Sequence, residues 1–159
     1  MHLTSGQPAP DFSLPDQNGI NHALADYRGR YVLVYFYPKD DTPGCTTEAC
    51  SFRDNLSHFE QLHTVVLGIS ADSADSHKKF SRKFSLHFTL LADATKKTVE
   101  HYGVWGKKNF MGREYMGTLR TSFLIDPQGK IVKIYQSVKP PQHASEVLAD
   151  LAELVGRRS

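Results

Sequence analysis

Seven consecutive residues, Tyr31 to Tyr37, read Tyr-Val-Leu-Val-Tyr-Phe-Tyr and are stopped by Pro38. A run apolar along its length and rich in β-branched and aromatic side chains has no polar face to turn to water. It predicts a central strand covered on both sides, closed by a proline that has no N–H for the ladder. A chain holding such a strand must build a sheet and two layers to cover it.

The rest of the chain supplies those parts. Phe12 to Leu14 and the turn Pro15-Asp16-Gln17-Asn18-Gly19 predict a small hairpin, and Ala23 to Tyr27 a helical turn ended by Gly29. A helix is expected from Pro43 to about Leu62, where Phe52, Leu56, Phe59 and Leu62 recur at roughly helical spacing. Thr64 to Ser70 reads as a second central strand. Ser73 to Phe84 reads as a helix capped by Ser73 or Asp75. Thr89 to Ala92 is a short strand, and Ala94 to Tyr102 a helix closed by Gly103. Gly106 to Gly117 reads as loop or hairpin. Leu119 to Asp126 and Lys130 to Gln136 form a hairpin around Pro127-Gln128-Gly129. Ser145 to Val155 is a last amphipathic helix with Val147, Leu148, Leu151, Leu154 and Val155 inward. Alternating strands and helices, then a terminal hairpin and helix, predict a mixed central sheet with helices on both faces and an N-terminal hairpin. That pattern suits an α/β, thioredoxin-like fold, which names no function by itself.

Residues 1–159 fit a single domain, with 40% apolar and 23% charged residues. The 19 basic and 17 acidic side chains leave a net charge of +2, too balanced for a nucleic-acid binder. Arg157 and Arg158, and the pairs Lys78-Lys79 and Lys107-Lys108, read as solvated charge. No apolar run approaches the ~20 residues of a membrane span. The first residues, Met-His-Leu-Thr-Ser-Gly, lack a secretory pattern, so a soluble, cytoplasmic protein is expected. In a reducing compartment the two cysteines are inert core thiols or working ones, not a permanent staple.

The chemistry points to Cys45. The loop after Pro38 delivers it into the first turn of the helix that Pro43 begins, a position proline favours. Unpaired N–H groups and the helix dipole there favour a negative charge, and so a thiolate. An ordinary thiol, near pKa 8.5, is only about 3% ionised at pH 7; reaching about 90% takes ~3.4 kcal/mol. A helix terminus supplies about 1–2 kcal/mol of that. Thr42, a hydroxyl on the same loop, and Arg120, at the start of a predicted central strand, are candidates for the remainder. Gly44 lets a substrate approach the backbone closely.

Cys50 lies five residues on. In an intact helix the two Cα atoms would be roughly 8.6 Å apart, beyond the ~7 Å limit for a disulfide. A Cys45–Cys50 bond therefore requires the first helical turns to unwind.

Pro38-x-x-x-Thr42-x-x-Cys45 resembles the peroxiredoxin active-site motif. The stretch through Cys50-Ser51-Phe52-Arg53-Asp54, the Pro-Ala-Pro-Asp-Phe lead and Arg120-Thr-Ser-Phe-Leu-Ile-Asp126 are similar to the bacterioferritin comigratory protein, or Q-type, group of that family. The resemblance covers nearly the whole chain. It implies that Cys45 is the peroxidatic cysteine, attacking hydrogen peroxide or an organic hydroperoxide and becoming a sulfenic acid. It implies that Thr42 and the N–H groups of Gly44 and Cys45 hold the peroxide, that Arg120 stabilises thiolate and developing charge, and that Pro38 shields the site. Cys50 matches the resolving cysteine of some members, forming an intramolecular disulfide that thioredoxin or a similar dithiol protein reduces. Glu48 matches a position that contacts the arginine. The group also implies a monomer or weak dimer, with no cofactor.

Blander readings stand beside these. Cys45 has a weaker alternative as an inert buried thiol, Cys50 as a plain apolar helix residue, Thr42 as a helix cap only, and Arg120 as a surface strand residue paired with a carboxylate. His2, His22, His58, His63, His77, His87, His101 and His143 show no ligand spacing with the cysteines and read as surface or packing residues, so no metal is expected. Lys39, Asp40 and Asp41 read as exposed loop charges and Trp105 as packing. A thiol–disulfide exchanger and a non-enzymatic holdase are the competing functions.

Overall fold

A computed structural model describes residues 3–156, so His2, Arg157 and Arg158 lie outside the described residues. Tyr31–Phe36 (β3) is buried at every position. It pairs in parallel with Thr64–Ser70 (β4) and antiparallel with Thr121–Ile125 (β8). Thr89–Ala92 (β5) and Ile131–Tyr135 (β9) flank these, giving the order β5-β4-β3-β8-β9. The predicted central strand thus sits at the centre of a mixed sheet.

Alternation along β3 divides the core. Leu33 and Tyr35 point to one face, packing with Phe52, Phe59, Phe80, Val147 and Leu151. Val32, Val34 and Phe36 point to the other, packing with Leu24, Val99, Tyr102, Phe123 and Ile125. The first face is covered by helices Pro43–Asp54 (α1), Leu56–Gln61 (α2), Ala74–Phe84 (α3) and His143–Gly156 (α5). The second is covered by Lys97–His101 (α4) and the 3-10 turn Leu24–Tyr27. Ser13–Pro15 (β1) and Asn21–Ala23 (β2) form the expected hairpin, and Trp105–Phe110 (β6) and Arg113–Thr118 (β7) another.

Two helices depart from expectation. The helix predicted from Pro43 to Leu62 is broken at Asn55, whose side-chain amide donates to Ser51 O at 2.8 Å. That side chain takes a carbonyl of the helix and the backbone leaves helical geometry, at φ −109° and ψ 7°. The helix expected from Ala94 starts only at Lys97, because Asp93 accepts from the N–H of Thr98 and Val99 and Lys96 turns through φ +66°. No described helix is long and apolar enough to cross a membrane.

Candidate active site

The strand order decides what meets Cys45. β3 and β4 run in parallel, so the segments after both emerge at the same edge of the sheet. β8 runs the opposite way, with Phe36 opposite Thr121, so Arg120 stands where β3 ends. From that edge the chain passes through residues 37–42 and enters α1 at Pro43.

Cys45 is the third residue of α1 and is 1% exposed. The first helical bond at this end runs from Thr46 N to Thr42 O at 2.8 Å, which leaves the Gly44 and Cys45 amides ahead of the ladder. Arg120 joins the turn with both guanidinium arms: Nη2 donates to Cys45 Sγ at 3.4 Å and Nη1 to Glu48 Oε1 at 2.7 Å. Cys45 and Glu48 are three residues apart and so share a helix face. Gly44 has a further use beyond the one expected. A Cβ there would lie 3.1 Å from Arg120 Nη2, so glycine lets the guanidinium settle over the turn.

The charges interact strongly. Burial pushes the Glu48 carboxyl up to about 7, although Arg120 pulls it down, and its Oε2 has no hydrogen-bond partner among the described residues. Burial alone would lower Arg120, but the Cys45 sulfur and the Glu48 carboxylate outweigh it and hold the guanidinium above its ordinary value. Arg120 is therefore a fixed cation shared between two acidic groups. It is paired with a carboxylate, as the alternative reading had it, but is half-buried and not a surface residue.

Thr42 occupies the position before α1, but its hydroxyl donates to Lys39 O at 2.9 Å and does not cap the helix. Pro38 is half-buried, Cys50 half-buried and a free thiol on the intact α1. Trp105 is half-buried beneath Lys96, whose Nζ lies 4.6 Å from the ring centre.

Several participants escaped the sequence reading. Asp40, expected as an exposed loop charge, is 7% exposed, and His77 is fully buried beside it. Lys108 is not fully solvated: it is half-buried, donates to Thr118 O at 3.1 Å, and is lowered first by burial and then by Arg120. A cavity of about 450 Å³ abuts Arg120 and Lys108, with Val104, Leu119, Phe123 and Val138 among its apolar walls. None of these carried a local signal, since each depends on contacts between distant segments.

Comparison with known proteins places the chain. The AhpC/TSA family model matches residues 5–134. Peroxiredoxin Bcp of Bacillus subtilis (strain 168) is 46% identical over 154 residues, covering 97% of this chain and 98% of the relative. Peroxiredoxin Bcp of Escherichia coli (strain K12) is 48% identical over 151 residues, covering 95% and 97%. A solved structure of the Xanthomonas campestris bacterioferritin comigratory protein, from work on its alkyl peroxide reduction activity, superposes with a TM-score of 0.88 at 34% identity, covering 96% and 99%. A thioredoxin-like fold with such relatives defines a peroxiredoxin, an oxidoreductase that reduces peroxides through a thiol. The chain belongs to the AhpC/TSA family, alongside the Bcp and Q-type peroxiredoxins that its motif resembles.

Proposed function

We propose that Cys45 is the peroxidatic thiolate of this peroxidase, that Cys50 resolves it, and that a thioredoxin-type dithiol closes the cycle. The observation that carries the reading is the Arg120 Nη2 to Cys45 Sγ bond, from an arginine whose other arm is anchored on buried Glu48. A guanidinium in that place stabilises sulfur as an anion and remains to meet the charge that develops on oxygen.

The thiolate attacks the distal oxygen of a hydroperoxide. The S–O bond forms as the O–O bond breaks, sulfur is oxidised to a sulfenic acid that keeps the peroxide's hydroxyl, and the leaving alkoxide or hydroxide takes back from solvent the proton the thiol released on ionising, departing as alcohol or water. The Gly44 and Cys45 amides donate to the peroxide oxygens, while Thr42, whose proton is committed to Lys39, accepts from the peroxide O–H. Pro38 and Glu48 complete the wall, Glu48 by holding Arg120. Hydrogen peroxide fits the site, and the apolar cavity beyond Arg120 suits an organic hydroperoxide. Alkyl peroxide reduction by the Xanthomonas relative supports that class.

Resolution needs movement. α1 is continuous from Pro43 to Asp54, so Cys50 reaches the sulfenic acid only after the first turns unwind. The two sulfurs then form a disulfide and release water, and an external dithiol returns two electrons. The cation at the turn favours this step: conversion of the thiolate to a neutral sulfenic acid removes its ion pair with Arg120.

A thioredoxin-coupled peroxidase assay tests the scheme. Cys45→Ser abolishes peroxide consumption; retained turnover refutes the assignment. Cys50→Ser keeps the first oxidation, seen by sulfenic-acid trapping, and loses thioredoxin-coupled cycling. Unchanged cycling would make Cys50 a packing residue.

A further inference from the structure

Behind the reactive loop lies a buried polar cluster that the scheme above does not use. Asp40 Oδ1 accepts from Tyr37 OH at 2.6 Å, and Asp40 Oδ2 accepts from Ser76 Oγ at 2.8 Å. The Asp40 amide donates to Asp72 Oδ2 at 2.8 Å, which also accepts from Ser70 Oγ at 2.7 Å. His77, fully buried, faces Asp40 Oδ2 with Nδ1 at 2.7 Å and Leu91 O with Nε2 at 2.9 Å.

The partners of His77 fix its protons. A carbonyl only accepts, so Nε2 carries a hydrogen and donates to Leu91 O. A lone pair on Nδ1 facing an ionised carboxylate at 2.7 Å would be repelled, so a proton lies on the Nδ1–Oδ2 line as well. The donor atoms of Asp40, Asp72 and His77 lie within 4.8 Å of one another, as in a metal cage. Each is already engaged in hydrogen bonds, so the cluster works as a proton-bridged clamp.

The clamp lies at a mechanically sensitive place. Asp41, next in the chain, sits at φ +57°, a left-handed conformation that costs about 1–3 kcal/mol outside glycine and persists only when its surroundings enforce it. Its carboxylate pairs with Lys83 of α3 at 2.7 Å. Beyond the reactive turn, Arg53 Nη1 donates to Phe84 O at the end of α3 at 2.6 Å. α3 thus grips the chain on both sides of residues 42–52, the stretch that holds both cysteines.

We propose that His77 is a positioning residue for the peroxidase reaction, pinning the foot of the Cys45 helix to α3 through Asp40. The pinned foot holds Thr42 and Cys45 in register with Arg120 for the attack, and stays fixed while the turn beyond it unwinds for resolution. The inference rests on the reading of Cys45 as the reacting thiol.

The test compares two variants that break the clamp, His77→Gln and Asp40→Ala, with Asp40→Asn, which preserves it. The Asn amide donates to a neutral His77 Nδ1 and to Ser76 Oγ while its carbonyl accepts from Tyr37. Stopped-flow measurement of peroxide attack on the reduced protein is expected to fall tenfold or more in the breaking variants and to stay within threefold in Asp40→Asn. Hydrogen exchange is expected to quicken at amides 44–46 in the breaking variants while the β3 and β4 amides remain protected. Attack within twofold of wild type in the breaking variants overturns the inference. So does a loss that merely tracks the folded fraction with exchange raised uniformly. If one breaking variant does not fold, the other decides. Failure of the wild type to lose its Cys45 thiol to peroxide would instead sink the proposed function, so the two failures are distinct.

Discussion

Glu48→Gln probes the electrostatics of the site directly. Glu48 is fully buried, bonded to Arg120 by one oxygen and unbonded at the other, and its carboxyl is raised from 4.5 to about 7. A carboxyl harder to ionise in the folded protein than in the unfolded chain favours folding while protonated in both states. That contribution is complete below about pH 4.5, falls as the unfolded chain ionises, and is gone once the pH passes about 7. At ~1.36 kcal/mol per unit the loss is about 3 kcal/mol. Glutamine stays neutral and loses nothing over the same range. The stability of Glu48→Gln relative to the parent should therefore improve by about 3 kcal/mol between pH 4.5 and 8, whatever the constant cost of replacing an ion pair by a neutral hydrogen bond. Urea unfolding of both proteins at intervals across that range measures the difference. Placing both in a Cys45→Ser background removes the thiol that shares Arg120. A difference that stays flat within about 1 kcal/mol would show that burial does not disfavour the Glu48 charge, and the reasoning about the shared arginine would fall with it.

Two further outcomes follow from named contacts. Arg120→Ala removes the cation at Cys45 Sγ, and should reduce both the thiolate ultraviolet absorbance at neutral pH and the rate of peroxide attack, the latter by about 10²–10³-fold; an unchanged thiolate signal removes Arg120 from the site. Gly68→Ala places a Cβ 2.8 Å from both Leu90 Cδ2 and Tyr35 Cζ in the centre of the sheet. It should cost about 1–3 kcal/mol in urea unfolding, and a neutral result would show that this layer repacks freely.

The fold and the place of Cys45 at the start of α1 were legible for one reason: the signals are local. An apolar run stopped by proline marks β3, and proline again, two residues before Cys45, marks the start of α1. β4 and β5 have the predicted limits because they are short apolar runs between turns. Asn55 was not read as a break, since its side chain acts only once Ser51 O is one helical turn away. The charges around Cys45 are a different matter. Arg120 is 75 residues distant in sequence from the sulfur it touches, and His77 is 37 from Asp40. Its place at the start of a predicted strand made Arg120 a candidate and the motif resemblance gave it a role, but nothing supplied His77. Yet both partners follow from topology once the strand order is known. A parallel β4 brings Ser70 and Asp72 to the edge where β3 ends, and an antiparallel β8 brings Arg120 to the same edge from the other side. Any residue just past β3 is therefore flanked by the segment after β4 and the segment before β8. Asp40 takes its partners from the first and from α3, which follows it, while Cys45 takes its cation from the second. The site is composite because a central strand has two neighbours, and its contacts divide along the same line: the hydrogen bonds of Asp40 and His77 lie on the β4 side and the Arg120 contact with Cys45 lies on the β8 side.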